Sequence, residues 1–278
     1  MTSSSALLAP AAALDLDARA TFCVALARSA GEIAREGFAA RAAAGPDAGI
    51  GMKGPQDFLT ETDTAVERHI KARLAESFPE DGFLGEETGG TVEGSVWVVD
   101  PIDGTANFAR AIPHFCISIA FVAGGEIEIG AIYNPALDEM HFARRGQGAT
   151  LNGRPIRVSG TSAYSAACVE LGWSNRLPNA AYLAVLSDLL ERGANVRRAA
   201  SGALGLAYVA DGRSDGYAEL HMNPWDCLAG LLLVGEAGGH VGPFLALDGL
   251  AKGGGVLAAA PGIADGMSAA TGIPLEPR

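Results

Sequence analysis

The chain has 278 residues, 49% of them hydrophobic, and a formal net charge of −12 at pH 7. That length supports one large domain, or two closely joined halves, with a substantial core, and the composition excludes a disordered chain. The acidic balance, with no Lys/Arg-rich tract, argues against nucleic-acid binding through a broad basic patch, and it admits an anionic substrate only if something positive mediates.

Residues 14–40 put Phe22, Leu26, Ile33 and Phe38 at helical spacing, which predicts an amphipathic helix. The Gly- and Pro-rich stretch 42–58 reads as a loop. Val66, Ile70, Leu74 and Phe78 recur every four residues and predict a second helix, stopped by Pro79. The apolar run 95–100 predicts a buried strand. "CISIAFVAGGEIEIGAIYNP" (116–135) predicts a hairpin turning at Gly124-Gly125, and the strand at 140–145 and the Asn152-Gly153 turn continue the antiparallel pattern. The second half alternates: strands near 166–171, 195–199, 216–220 and 255–260, and helices near 179–192, 202–210 and 225–237. This is a mixed α/β pattern with no composition break, read as one domain over 1–278 with halves at roughly 14–160 and 161–278. Cys23, Cys116, Cys168 and Cys227 are scattered, with no CxxC pair, which predicts reduced, mostly buried thiols and a cytoplasmic protein. The N-terminal segment has no basic n-region, and no stretch of about 18 apolar residues reads as a membrane span.

Acids gather where elements begin or end. "DFLTETD" holds Asp57 and Asp63, "LGEET" holds Glu86 and Glu87, "DPIDGT" holds Asp100 and Asp103, and "NPWDCLAG" holds Asp226. Each alone has a plain explanation: a helix N-cap for Asp63 and Asp226, a turn former for Asp100 and Asp103, a solvated turn for Glu86 and Glu87. Together they are harder to dismiss, because Asp100 closes a buried strand, where an unpaired charge is expensive. If Glu86, Asp100, Asp103 and Asp226 converge, a hard divalent cation with oxygen ligands relieves their repulsion, and magnesium suits such a site. No Cys/His cluster has zinc spacing, and the histidines 69, 114, 141, 221 and 240 read as structural. Gly104-Thr105 adds a small-residue element start at which backbone N–H groups can approach an anion.

At these residues the sequence resembles the inositol monophosphatase family, within the wider lithium-sensitive, magnesium-dependent phosphatases. "WVVDPIDGTANF" (97–108) and "NPWDCLAGLLLVGEAGG" (223–239) look like its two signatures, and "DFLTETD", "GEE", "IPHFCISIAF", "GAIYNPALDEMHFARRGQGATLNGRPIRVS" and "DGYAEL" lie between them in the family's order. The resemblance runs from about Ala18 to Ala260 and is weakest over 172–195. It implies a layered α/β/α/β/α sandwich, of the inositol monophosphatase and fructose-1,6-bisphosphatase type, that is usually a homodimer. It implies two or three Mg2+ ions held by Glu86, Asp100, Asp103, Asp226 and the Ile102 carbonyl. Asp63 and Thr105 would orient and activate the attacking water, with Glu86 helping through the metal. Asp103, Gly104, Thr105, Glu219 and Asp226 would bind substrate, Gly104 and Thr105 at the phosphate and Glu219 at substrate hydroxyls. Lys53 would sit near the phosphate, or else is a solvated loop lysine.

The implied activity is hydrolysis of a small polyol phosphate, inositol monophosphate first, by a metal-activated water, with neither nucleic acid nor membrane as a partner. Histidinol phosphate and sugar (bis)phosphates are the alternatives within the family, and a non-catalytic phospholigand-binding protein is the alternative outside it. Two stretches depart from the family pattern: "ASGAL" (200–204) and "ELGWSNR" (170–176), both expected beside the substrate pocket.

Overall fold

A computed structural model describes residues 15–45, 51–54 and 57–277. In chain order the elements are α1 (Leu16–Ala44), β1 (Gly51–Gly54), β2 (Asp57–Leu59), α2 (Glu61–Ser77), β3 (Gly82–Gly85), β4 (Gly89–Gly90), β5 (Val96–Asp103) and α3 (Thr105–Ala109). There follow β6 (Cys116–Ala123), β7 (Glu126–Asn134), β8 (Glu139–Arg144), β9 (Ala149–Leu151), β10 (Arg154–Pro155), β11 (Cys168–Leu171), α4 (Asn179–Glu191), β12 (Asn195–Arg197) and α5 (Gly202–Ala210). The chain ends with β13 (Gly216–Met222), α6 (Pro224–Glu236), β14 (His240–Val241), α7 (Gly249–Lys252), β15 (Gly254–Ala259) and α8 (Ala264–Thr271).

Strand alternation builds the layers. The eight-stranded sheet runs β10-β9-β8-β7-β6-β5-β3-β4, and the five-stranded sheet runs β12-β11-β13-β15-β14. On β5 and β6, Trp97, Val99, Ile117, Ile119 and Phe121 face one way and pack with Cys23, Leu26 and Ala30 of α1 and Val66, Ile70 and Leu74 of α2. Val96, Val98, Cys116, Ala120 and Val122 face the other way and meet α5 and α6, which also pack on Tyr217, Val256 and Ala258 of the smaller sheet. The opposite face of that sheet, with Val169, Ala218, Leu257 and Ala259, is covered by Val185 and Leu189 of α4 and Met267 of α8. The order is therefore helix pair, sheet, helix pair, sheet, helix pair, the expected α/β/α/β/α sandwich, because period-2 burial leaves each sheet two apolar faces to cover.

Several boundaries differ from the sequence expectation. The first helix continues to Ala44, and the segment expected to be a loop, 42–58, contains the antiparallel ribbon β1–β2. The strands β3, β4 and β14 and the helices α7 and α8 were not expected; most are four residues or fewer and too short to show a period. Strand β5 does not stop at Asp100 but reaches Asp103. Its pairing with β6 slips between Asp100 and Asp103, and that irregularity accommodates Pro101, which has no N–H to donate.

Helix α6 lies close on β7. A Cβ at Gly130 would stand 2.8 Å from the Ala229 carbonyl oxygen and 3.0 Å from its Cα, whereas a Cβ at Gly235 would meet nothing within 4 Å. Gly130→Ala is expected to cost about 1–3 kcal/mol in urea unfolding, and Gly235→Ala to be neutral or stabilising by about 0.5–1 kcal/mol. Equal midpoints for the two variants would contradict this packing.

Candidate active site

Three carboxylates converge where β5 ends and α6 begins. Asp100, Asp103 and Asp226 each offer an oxygen, and these oxygens lie within 4.8 Å of one another, the one such group among the described residues. Asp100 is buried and accepts the Ile102 N–H at 2.9 Å. Burial, then the charges of Glu86, Asp103 and Asp226, hold its carboxyl well above the usual range. Asp103 is also raised by burial, against hydrogen bonds from the Ser201 hydroxyl (2.5 Å) and the N–H groups of Ala203 (2.8 Å) and Gly202 (3.3 Å). Those donors belong to the start of α5, which is therefore tied to the end of β5. Burial, with the charges of Asp103 and Glu219, pushes Asp226 up to about 7.

Asp63 and Asp226 were read as possible N-caps; both prove to be the third residue of their helices. Thr60 caps α2 and Asn223 caps α6, and in each case the aspartate reaches back to the cap's N–H, at 3.0 Å for Asp63 and 3.1 Å for Asp226. These reciprocal capping boxes satisfy helix-start donors with one carboxylate oxygen and leave the other for the site. The remaining oxygen of Asp63 accepts from the Thr105 hydroxyl at 3.3 Å, and that hydroxyl has an alternative acceptor in the Ile102 carbonyl at 3.0 Å. Burial pushes Asp63 up to about 6, against its bonds from Thr60.

A cavity of about 390 Å³ opens beside the triad, and Glu86, Asp103, Gly104, Thr105, Glu219 and Asp226 lie on its wall. Gly104 turns the chain from β5 into α3 with φ 96°, a left-handed conformation that suits glycine, and a Cβ there would stand 2.9 Å from the His114 carbonyl oxygen. Glu219 accepts the Tyr217 hydroxyl at 2.8 Å, and burial pushes its carboxyl up to about 7. Glu86 lies outside the close triad but acts on Asp100. The side chains of Lys53 and Asp57 lie outside the described residues. The two departures, 170–176 and 200–204, both contribute to the cavity wall. Of the histidines, His221 reaches this wall too, while His141 pairs with Asp211 at 2.8 Å away from it.

Three supporting residues were not singled out from the sequence. Buried Glu67 accepts the N–H groups of Glu87 (2.9 Å) and Thr88 (2.8 Å) and so fixes the turn after Glu86. Its signal was available: Glu67 stands three residues before Ile70, on the buried face of α2. Ser201 anchors Asp103, and the Asn107 amide donates to the carbonyls of His114 (2.8 Å) and Ala199 (2.9 Å), tying α3 to the segment before α5. Neither has a pattern that marks it in the sequence.

The sequence profile of the Inositol monophosphatase family matches residues 15–270. The inositol-1-monophosphatase of Rhizobium meliloti is 44% identical over 195 residues, 68% of this chain and 73% of that protein. Nus factor SuhB of Salmonella typhimurium is 37% identical over 255 residues, 90% of this chain and 94% of that protein. The crystal structure of suhB from Bartonella henselae aligns with a TM-score of 0.84 at 33% identity, over 91% of this chain and 98% of that one. An inositol monophosphatase from Anabaena aligns with a TM-score of 0.79 at 32% identity, over 94% and 98%. A profile match across most of the chain, relatives at this identity and a shared layered fold agree: the chain belongs to the inositol monophosphatase family and is a phosphatase.

Proposed function

We propose that the enzyme is a magnesium-dependent phosphate monoester hydrolase acting on a small polyol phosphate, inositol monophosphate first. The observation that carries this reading is the triad Asp100, Asp103 and Asp226, of which Asp103 and Asp226 lie on the wall of a cavity of substrate size with buried Asp100 behind them. The donor set fits a hard divalent cation: the triad offers only carboxylate oxygens, and the charges of Asp103 and Asp226 raise Asp100 while that of Asp103 raises Asp226. Asp100, Asp103 and Asp226, with Glu86 and the Ile102 carbonyl, would hold two or three Mg2+ ions. What magnesium supplies when bound is positive charge for the phosphoryl oxygens and acidity for water.

The chain's own groups do the rest. Gly104 and Thr105 border the phosphoryl position. The Thr105 hydroxyl donates its one proton to the Ile102 carbonyl or to Asp63, which leaves its lone pairs to accept from water and aim it at phosphorus. Asp63, near 6, is ionised at neutral pH and close enough in pKa to take up a proton at its oxygen facing Thr105. Glu219, steadied by Tyr217, offers an acceptor to substrate hydroxyls, which supports a polyol. We assign the whole chain to one domain that works in the cytoplasm, which its four unpaired cysteines support. No helix among the described residues is long and apolar enough to cross a membrane. A homodimer is supported by Leu183 and Leu190, 56% and 53% exposed and two turns apart on α4.

Three outcomes follow. In a panel of inositol 1-phosphate, histidinol phosphate and fructose 1,6-bisphosphate, phosphate release is expected to be fastest from the inositol ester and to stop in EDTA. Asp100→Asn loses about 10²-fold or more, and Thr105→Ser, which keeps the hydroxyl, outperforms Thr105→Ala. Full turnover by Asp100→Asn would sink the assignment. The second outcome concerns stability. The Asp226 carboxyl lies near 7 in the fold against an ordinary 3.8, so between about pH 4 and 7 the folded state keeps a proton that the unfolded state releases. Metal-free stability therefore falls as pH rises through that window. Asp226→Asn keeps an oxygen for the Asn223 N–H, and in EDTA at pH 8 it should melt about 3–6 °C above wild type, while Mg2+ should raise wild type more than the variant. A lower melting point for the variant in EDTA would refute the crowding. Third, sedimentation should give twice the chain mass, with Leu183→Glu/Leu190→Glu shifting it toward one chain; a monomeric wild type removes the dimer.

A further inference from the structure

Helix α2 carries two buried carboxylates on one stripe, and the reaction above uses only Asp63. Glu67 follows it by four residues, one helical turn and about 6 Å further along the axis. Asp63 reaches the Thr105 hydroxyl at the start of α3, whereas Glu67 reaches the turn between β3 and β4. That turn carries Glu86, the one acid of the proposed cation set that lies outside the close triad. One rigid helix therefore spaces the Thr105 hydroxyl from the segment that presents Glu86.

The sheet gives this turn little support. Glu86 donates its N–H to the Val99 carbonyl at 3.1 Å, where the pairing of β3 with β5 ends. Beyond the turn, β4 is two residues long and is the edge of the eight-stranded sheet, so no further strand backs it. Glu67 supplies the missing ties, one donor to each oxygen: Oε2 accepts the Glu87 N–H at 2.9 Å and Oε1 the Thr88 N–H at 2.8 Å. The approach is close. A Cβ on Gly85 would run into Oε2, so the absence of a side chain just before Glu86 is what admits the carboxylate. Among the described residues Glu67 forms no ion pair, and two backbone N–H groups are its partners. Burying a carboxylate without a cation beside it is costly, which argues for a role in placing the turn rather than in stability.

We propose that Glu67 is a positioning residue for the cation site: by holding the N–H groups of Glu87 and Thr88 it keeps the Glu86 carboxylate turned toward Asp100, and so it sets the affinity for the Mg2+ that Glu86 helps to hold. The proposal rests on the magnesium reading of the acids and adds a residue that acts behind them. Glu86 and Asp100 are already within bonding reach, since they share a hydrogen bond. Glu67 acts through Glu86 and touches no reacting atom. With glutamine at this position, one acceptor oxygen becomes an amide NH2 that faces a backbone N–H, and the turn loses that tie while Asp63 and Thr105 keep theirs.

The test is calorimetric titration of the EDTA-stripped enzyme with Mg2+. Glu67→Gln should bind Mg2+ about tenfold more weakly than wild type. Turnover of inositol 1-phosphate should need correspondingly more Mg2+, with kcat and KM at saturating Mg2+ retained within about threefold. Because the effect passes through Glu86, the losses should not add: Glu67→Gln/Glu86→Gln should bind Mg2+ as Glu86→Gln alone does. Glu236 supplies a matched comparison. It too accepts two backbone N–H groups, from Gly146 and Gly148 at 2.7 Å each, but at the end of α6 opposite Asp226. Glu236→Gln should leave Mg2+ affinity within about twofold. If Glu67→Gln does not fold, Glu67→Asp, which keeps the charge and shortens the reach, should show the same loss. Wild-type affinity in the Glu67 variants, an equal loss in Glu236→Gln, or additive losses with Glu86→Gln overturn the positioning role while the phosphatase reading stands. A wild type that neither binds Mg2+ nor needs it for turnover overturns both.

Discussion

The constraint on which the site depends is the crowding of Asp100, Asp103 and Asp226, the first two of them buried. Isolated carboxylates gain nothing from such burial; each charge costs several kcal/mol unless it is compensated. Compensation here comes from many directions at once. Ser201, Gly202 and Ala203 bond to Asp103, the Ile102 N–H bonds to Asp100, and the Asn223 N–H bonds to Asp226. These donors fix the direction of each carboxylate but do not cancel its charge. What remains is a preorganised demand for positive charge at one point, which is the condition under which electrostatic stabilisation works best.

Much of this was legible in the sequence. The long periodic helices, the Gly124-Gly125 hairpin and the alternating second half appeared near their expected places, because amphipathic periods of four and two record which face meets a core. The layered order followed from the family resemblance, and the burial pattern accounts for it. Short pieces escaped: β3, β4 and β14 are pinned by neighbouring strands rather than by any period of their own, and β5 passes Asp100 only because its register slips at Pro101. For the site, the acids stood out because each interrupts an apolar pattern. Ser201 and Asn107 did not, since a serine or an asparagine near a turn is ordinary and its value here lies largely in partners more than 90 residues away.

The capping boxes explain how site precision is reached without a dedicated scaffold. In α6 the residue that closes the helix start, Asp226, also lies on the cavity wall, and in α2 the corresponding Asp63 meets the Thr105 hydroxyl of that wall. Each backbone is held by the helix and one oxygen by the cap, so little freedom remains in the other oxygen. Substitutions there disturb folding and chemistry together, and the two effects need separate readouts. The stretch 170–176, which leaves the end of the short strand β11, has no capping box to aim it, which makes that wall the part of the cavity where specificity can change at least cost to the fold.

The close bond between Asp103 and the start of α5 has a temporal meaning as well. Asp100 and Asp103 leave the ribosome long before Ser201, Gly202, Ala203 and Asp226, and the smaller sheet is complete only when β15 has been made. During synthesis the growing chain carries the acids of β5 without the partners that aim them. On the proposed role of these acids, cation affinity arrives late, with the last third of the polypeptide. A truncated product that stops short of α6 would hold Asp100 and Asp103 without Asp226, and the triad would not form.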